Sequence, residues 1–254
     1  MTRPFFSWEH LRLRYEPFPI GLARPVLDPA VYHEMVDSFP SLDRFATLAK
    51  VGDKFSLGEK FGSKEFHAFV RSHPLWREFH AYLKSRDFIA GVLEALRVRH
   101  VDLGFDLDSS PAKRLRKRLA DALRGGSRIG SLELTSRFEF SMLPAQGGHV
   151  IPHTDGASKI VTLVVSMLRE GEWDPAWGGG TDVNRPKDPS RHFNRLNRQL
   201  AFDEVEVLDT FAFEPNQAVV FVKTFNSLHS VRPMTAPDRS LLRRTLTINI
   251  ETPS

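Results

Sequence analysis

The chain has 254 residues, no cysteine, a formal net charge of +4 and 41% hydrophobic residues, 20 of them Phe. That length and apolar content suit one large β-rich domain, or one and a half, with a sizeable core. The lack of thiols excludes a disulfide framework and structural thiolate zinc, and fits a reducing compartment. No apolar signal core interrupts Arg3, Glu9, Arg12, Arg14 and Glu16, and the longest apolar run, near 160–168, is too short to cross a bilayer. The expectation is a cytoplasmic protein without a membrane span.

Residues 1–128 mix helix-like segments (28–39, 63–69, 75–96 and 111–123) with short β pieces. The basic run at 113–119 spaces its leucines helically, so they face a core while the cations face solvent. No aromatics interleave it, and no nucleic-acid partner is expected. Gly125-Gly126-Ser127 breaks the pattern before a strand-rich half, 129–254. The break reads as a loop within one continuous unit.

In that half, 137–143 and 160–165 read as strands, with a turn at 144–148 between them. A long polar segment, 173–198, follows and reads as a lid, with a plain solvated loop as the alternative. It carries Arg185, Lys187, Arg191, Arg195 and Arg198 against Asp174, Asp182 and Asp188. Strands at 218–222 and 243–250 close the chain. Alternation in the last puts Arg243, Thr245 and Thr247 on one face and Leu246, Ile248 and Ile250 on the other. A buried face carrying an arginine needs an anionic partner, which a ligand carboxylate supplies with bidentate geometry.

His153-Thr154-Asp155, read as a pair on one strand, is answered downstream by His229-Ser230-Val231. Two imidazoles and one carboxylate make a face that suits non-haem Fe(II) and leaves positions open. A second pair, His100-Val101-Asp102, lacks flanking strands and a matched arginine, and reads as structural. His149 reads as a loop histidine. Trp173 and Trp177 suit either a cleft wall or a sheet-edge cover.

The order of His-x-Asp, apolar strand, Trp177-Gly178-Gly179-Gly180, apolar strand, distal His and Arg-x-Thr resembles the Fe(II)/2-oxoglutarate-dependent dioxygenases, and within them the prolyl-4-hydroxylase-like branch. The likeness covers roughly 131–250. A softer match runs from Glu16-Pro17-Phe18-Pro19 through Leu27-Asp28-Pro29 to Ser38-Phe39-Pro40. The resemblance implies an α+β fold: a double-stranded β-helix (jelly roll) core at 129–254 with N-terminal helical support at 1–128. It implies Fe(II) on His153, Asp155 and His229, with O₂ at an open position. The distal carboxylate of 2-oxoglutarate would lie on Arg243 and Thr245, with Thr162 and Ser166 lining the pocket. The reaction implied is hydroxylation of an unactivated C–H bond.

Departures narrow the substrate. Leu143 and Ser166 stand where prolyl hydroxylases commonly carry tyrosines. With the cations of 173–198, this points to a polar, anionic small molecule or glycan, with a prolyl or peptide substrate as the alternative. Arg239 is a rival to Arg243, but it follows a turn and its +2 residue is Leu241. Retention of Asp155 argues against halogenation. A zinc hydrolase on the same triad would need a general base, and no further strand-borne carboxylate stands out. A catalytically silent jelly-roll module would not need intact ligands.

Overall fold

The computed structural model describes residues 5–48, 53–105, 112 and 134–252. Apart from residue 112, the helix expected at 111–123 lies outside the described residues, as do the basic run and the Gly125 break. Among the described residues, four helices with full bounds precede the strand-rich half: α1 (Pro29–Asp37), α2 (Ser63–Ser72), α3 (Pro74–Leu83) and α4 (Arg86–Arg97). Asp28 caps α1 by accepting from the amides of Ala30 and Val31. The single helix expected over 75–96 is two, because Ser85 accepts from the Phe88 amide and starts α4 afresh.

The strands are β1 (Arg12–Arg14), β2 (Ile20–Ala23), β3 (Ala46–Leu48), β4 (Lys54–Gly58), β5 (Thr135–Pro144), β6 (Val150–His153), β7 (Lys159–Ser166), β8 (Thr181–Pro186), β9 (Val205–Phe211), β10 (Ala218–Val222), β11 (His229–Val231) and β12 (Leu242–Glu251). They form an eight-stranded sheet, β1-β2-β10-β7-β12-β5-β4-β3, and a four-stranded sheet, β6-β11-β8-β9, with every pairing antiparallel. The N-terminal part thus supplies four strands of the large sheet as well as helices.

Alternation decides the two faces of the large sheet. Phe138, Phe140, Leu163, Val165, Leu246 and Ile248 join Phe66, Phe69, Trp76 and Phe79 of the helices in one buried cluster. Trp76 packs edge-on against Phe140 at 4.7 Å between centroids, and Phe66 against Phe138 at 5.0 Å. Burying each such ring contributes about 2–3 kcal/mol. The opposite face, carrying Ser141, Leu143, Thr162, Arg243 and Thr245, looks toward the small sheet and lines a cavity with it. A second cluster, including Ile20, Val183, Val219 and Phe221, joins the sheets on one side of that cavity.

The segment 173–198 is not one polar loop. Its middle is β8, whose Asp182 and Asn184 are buried. Both find distant partners: Thr210 and Arg232 donate to Asp182, and Asn184 donates to Ser230. Buried polar groups that find partners cost little, so an unpromising sequence becomes an interior strand, although Asn184 Oδ1 itself is left without a partner among the described residues.

Candidate metal centre

The cavity between the sheets has a volume of ≈ 130 Å³. His153 ends β6, His229 begins β11, and the two stand directly opposite one another in the antiparallel pairing. Asp155 does not share the strand with His153. It lies beyond the strand end with φ 71°, a left-handed conformation that Asp tolerates better than most residues. That turn returns the carboxylate to the histidines. His153, Asp155 and His229 bring one ligand atom each to within 4.8 Å of one another, and are the one such group among the described residues.

The imidazoles are oriented for ligation. Nδ1 of His153 lies 2.9 Å from the Ile151 carbonyl, and Nδ1 of His229 lies 2.9 Å from that of Ser227. A carbonyl only accepts, so each Nδ1 carries the proton and each Nε2 offers a lone pair. Nε2 of His153 is 3.4 Å from Oδ1 of Asp155. Burial, and next the neighbouring His153, push His229 down to about 3, against the pull of Asp155. Burial alone would raise the carboxyl of Asp155; the neighbouring His153 and the Lys159 charge outweigh it and hold the group well below its usual range. Two imidazoles and one carboxylate are a donor set that fits ferrous iron.

Both carboxylate oxygens of Asp155 are committed. Thr162 Oγ1 donates to Oδ2 at 3.0 Å, with Asn249 Oδ1 3.1 Å from the same hydroxyl. Lys159 Nζ donates to Oδ1 at 2.6 Å. The ring of Phe221 packs on His229 at 4.4 Å. Sequence reading missed Lys159, Asn249 and Phe221.

Arg243 lines the same cavity with 5% of its surface exposed. Its Nε donates to the Gly179 carbonyl at 2.5 Å, and its guanidinium stacks on Phe213 at 4.7 Å. No ion pair reaches it among the described residues, and burial lowers its pKa to about 10. A cation so placed is costly unless a ligand anion completes it. Gly179, at φ 85°, presents the carbonyl; a Cβ there would sit 3.0 Å from Trp173 and 3.4 Å from the Arg243 side chain. Arg239 is exposed and lines no part of the cavity.

Thr245 and Thr247 both line the cavity, the second unnominated although strand alternation had placed it on this face. Leu143 lines it too. Thr162 does so with its hydroxyl already given to Asp155, whereas Ser166 is buried farther along β7 and is not part of the lining. His149 packs on Phe202 outside the cavity. His100 is exposed, and Asp102 accepts from the Gly104 amide instead of joining it. Trp173 and Trp177 pack on each other behind Arg243, with Trp173 also against Phe213, and do not wall the cleft.

One strand-borne carboxylate escaped the sequence reading. Glu139 is buried on β5 and paired with Lys54 at 2.6 Å, with Ser141 donating to it at 2.8 Å. So paired, it is not a free base for the metal site. The cations of 173–198 are also partly spoken for. Arg185 pairs with Glu206, and Arg191 with Glu204 and Asp188. The loop after β8 does rest on the site: Asn197 Oδ1 accepts from the Thr154 amide at 2.9 Å, and Thr154 Oγ1 donates to the Asn194 carbonyl.

No family profile matches the sequence, and no curated protein matches it. Solved structures of similar shape include a prolyl-4-hydroxylase from Pseudomonas putida, with 15% identity, 91% of both chains covered and a TM-score of 0.45. Another is a prolyl hydroxylase from Trichoplax adhaerens in complex with a hypoxia inducible factor oxygen degradation domain peptide fragment, with 13% identity, 91% of this chain and 83% of that chain covered, and a TM-score of 0.47. A third is the non-heme alpha ketoglutarate dependent epimerase SnoN from nogalamycin biosynthesis, with 11% identity, 93% and 79% covered, and a TM-score of 0.45.

Proposed function

We propose that the protein is an Fe(II)- and 2-oxoglutarate-dependent dioxygenase of the prolyl-4-hydroxylase-like branch, with 129–254 as its double-stranded β-helix core and 1–128 as support. The observation that carries the reading is the coexistence, in one cavity, of a His153-Asp155-His229 cluster and a buried Arg243 without a carboxylate partner among the described residues. A metal-only binding site would not need the second feature. The strand order adds support. From β5 to β12 the chain places β5, β7, β10 and β12 in one sheet and β6, β8, β9 and β11 in the other, with β5-β12 and β6-β11 neighbours. That interleaving is what a jelly roll requires.

In this reading His153, Asp155 and His229 hold Fe(II), which when bound activates O₂ with 2-oxoglutarate for hydroxylation of an unactivated C–H bond. Thr162 fixes the Asp155 carboxylate, and the carbonyls of Ile151 and Ser227 fix the two imidazoles. Arg243 grips the distal carboxylate of 2-oxoglutarate, with Thr245 and Thr247 offering hydroxyls beside it. Ser166, buried beyond the lining, supports the strand behind them. The protein orients the reactants and keeps water from the cavity.

The primary substrate in this reading is a polar, anionic small molecule or glycan. Leu143 gives the lining no phenol, and Lys187, Arg195 and Arg198 carry no ion pair among the described residues. A prolyl or peptide substrate within the same chemistry is the second reading, favoured by the groove that Phe193 and Leu196, 80% and 72% exposed, open beside the loop resting on Thr154.

Iron content and 2-oxoglutarate-dependent succinate release test the reading together. His153→Ala, Asp155→Ala and His229→Ala should each abolish succinate formation in a folded protein, while His100→Ala should leave iron binding unchanged. Succinate release that survives loss of the triad would overturn it.

A further inference from the structure

One lysine grips Asp155, and a second stands on the adjacent strand. Lys159 opens β7, lines the cavity and places Nζ 2.6 Å from Oδ1, the carboxylate oxygen that faces Nε2 of His153. Oδ2 is held by Thr162. The ammonium therefore occupies the oxygen that a metal between the two histidines would require. Lys223 follows β10 on the adjacent strand. Its amide donates to the Ile160 carbonyl at 2.9 Å, its ammonium donates to the Thr224 carbonyl at 2.9 Å and lies 5.6 Å from the centre of the Phe225 ring, and it feels the charge of Asp155. Glu251, whose charge Lys159 also feels, is already gripped by Arg137 through two contacts of 3.1 Å. Lys159, once displaced from Asp155, has no other free carboxylate nearby among the described residues.

We infer that Lys159 is the resident counter-cation of Asp155, that a divalent metal displaces it on binding, and that the released ammonium with Lys223 anchors an anionic group of the primary substrate at the mouth of the site. The inference rests on the proposed function and deepens it by placing substrate recognition beside the metal rather than on the arginines after β8. Charge supports it. The charges of Asp155 and Lys159 cancel, and a divalent ion with Arg243 outweighs a dicarboxylate co-substrate by one charge. The loaded cavity is then cationic, and its low-dielectric walls focus that field on an incoming anion.

The test is calorimetric titration of Mn(II) into metal-free protein, wild type against Lys159→Met and Lys159→Gln. Removing a close competing cation should tighten Mn(II) binding roughly tenfold in both variants. Lys223→Met, with no contact to the carboxylate, should tighten it less. With Mn(II) and 2-oxoglutarate bound, millimolar sulfate should raise the melting temperature of the wild type above a chloride control of equal ionic strength. That gain should vanish in Lys159→Met and shrink in Lys223→Met. Unchanged or weaker Mn(II) binding in both Lys159 variants overturns the displacement, and a wild type indifferent to sulfate overturns the anion anchor. A wild type that takes up no Mn(II) overturns the proposed function and this inference with it. Circular dichroism of each variant excludes misfolding as the cause of a change.

Discussion

Thr162 holds Oδ2 of Asp155 at 3.0 Å from a strand that pairs with the one bearing Asn249, so the large sheet, rather than the turn carrying Asp155, fixes the carboxylate. A left-handed turn is a soft support for a ligand, and this hydroxyl restrains it. Thr162→Val keeps the shape and removes the donor. It should weaken divalent-metal binding about 10–100-fold, as loss of a partner behind a ligand does, with the fold retained. Metal titration of the purified variant checks this, and undiminished affinity would count against the role.

Arg243→Ala should raise the 2-oxoglutarate requirement strongly. Truncating one partner of a buried charge-assisted pair typically costs about 2–5 kcal/mol. Arg239→Ala, at an exposed position, should matter far less. Direct 2-oxoglutarate binding to metal-loaded protein separates the two, and equal effects would move the carboxylate site.

Arg243 was legible in the sequence because a long strand repeats every second residue, so one buried apolar face defines its opposite. The histidines were legible for the same reason: the strands flanking them announce themselves. Asp155 was misplaced onto a strand because its left-handed turn leaves no mark in His-Thr-Asp. β8 was hidden because Asp182 and Asn184 look like loop residues until Thr210, Arg232 and Ser230 arrive from distant strands. Lys159 is only four residues from Asp155, yet their contact depends on that same turn. Glu139 could have been found, since alternation with Phe138 and Phe140 sets it on the cavity-side face.

The metal-free protein should lose stability as pH falls below 6.5. His229 is held down to about 3 when folded against an ordinary 6.5, so below 6.5 the unfolded chain takes up a proton that the folded chain refuses. This stability is fully present above 6.5 and declines by about 1.4 kcal/mol per pH unit until the folded imidazole titrates near 3. Between pH 6.5 and 5 the loss from this group is roughly 2 kcal/mol. Urea unfolding of the wild type and His229→Leu over that range should give a shallower slope for the variant. Identical slopes would mean that His229 is not the group responsible.

The Lys54–Glu139 pair should behave as a buried unit whose halves are worth less than the whole. Burial alone would raise the carboxyl of Glu139, but the Lys54 charge and the hydrogen bonds from Lys54 and Ser141 hold it below its usual range. Its stability contribution is therefore present above the ordinary carboxylate pKa and lost as pH falls through the depressed folded value. Lys54→Met would strand a buried carboxylate and should cost about 3 kcal/mol. Glu139→Gln in the Lys54→Met background leaves no buried charge and should recover much of that loss, because the amide can still accept from Ser141. Lys54 lines the metal cavity without pairing to a metal ligand, so Mn(II) affinity should rise modestly in Lys54→Met, where a carboxylate is left uncompensated, and return toward the wild type in the double variant, where the net charge is restored. Urea unfolding beside Mn(II) titration reads both quantities. A double variant as unstable as Lys54→Met would show that the stranded charge was not the cause.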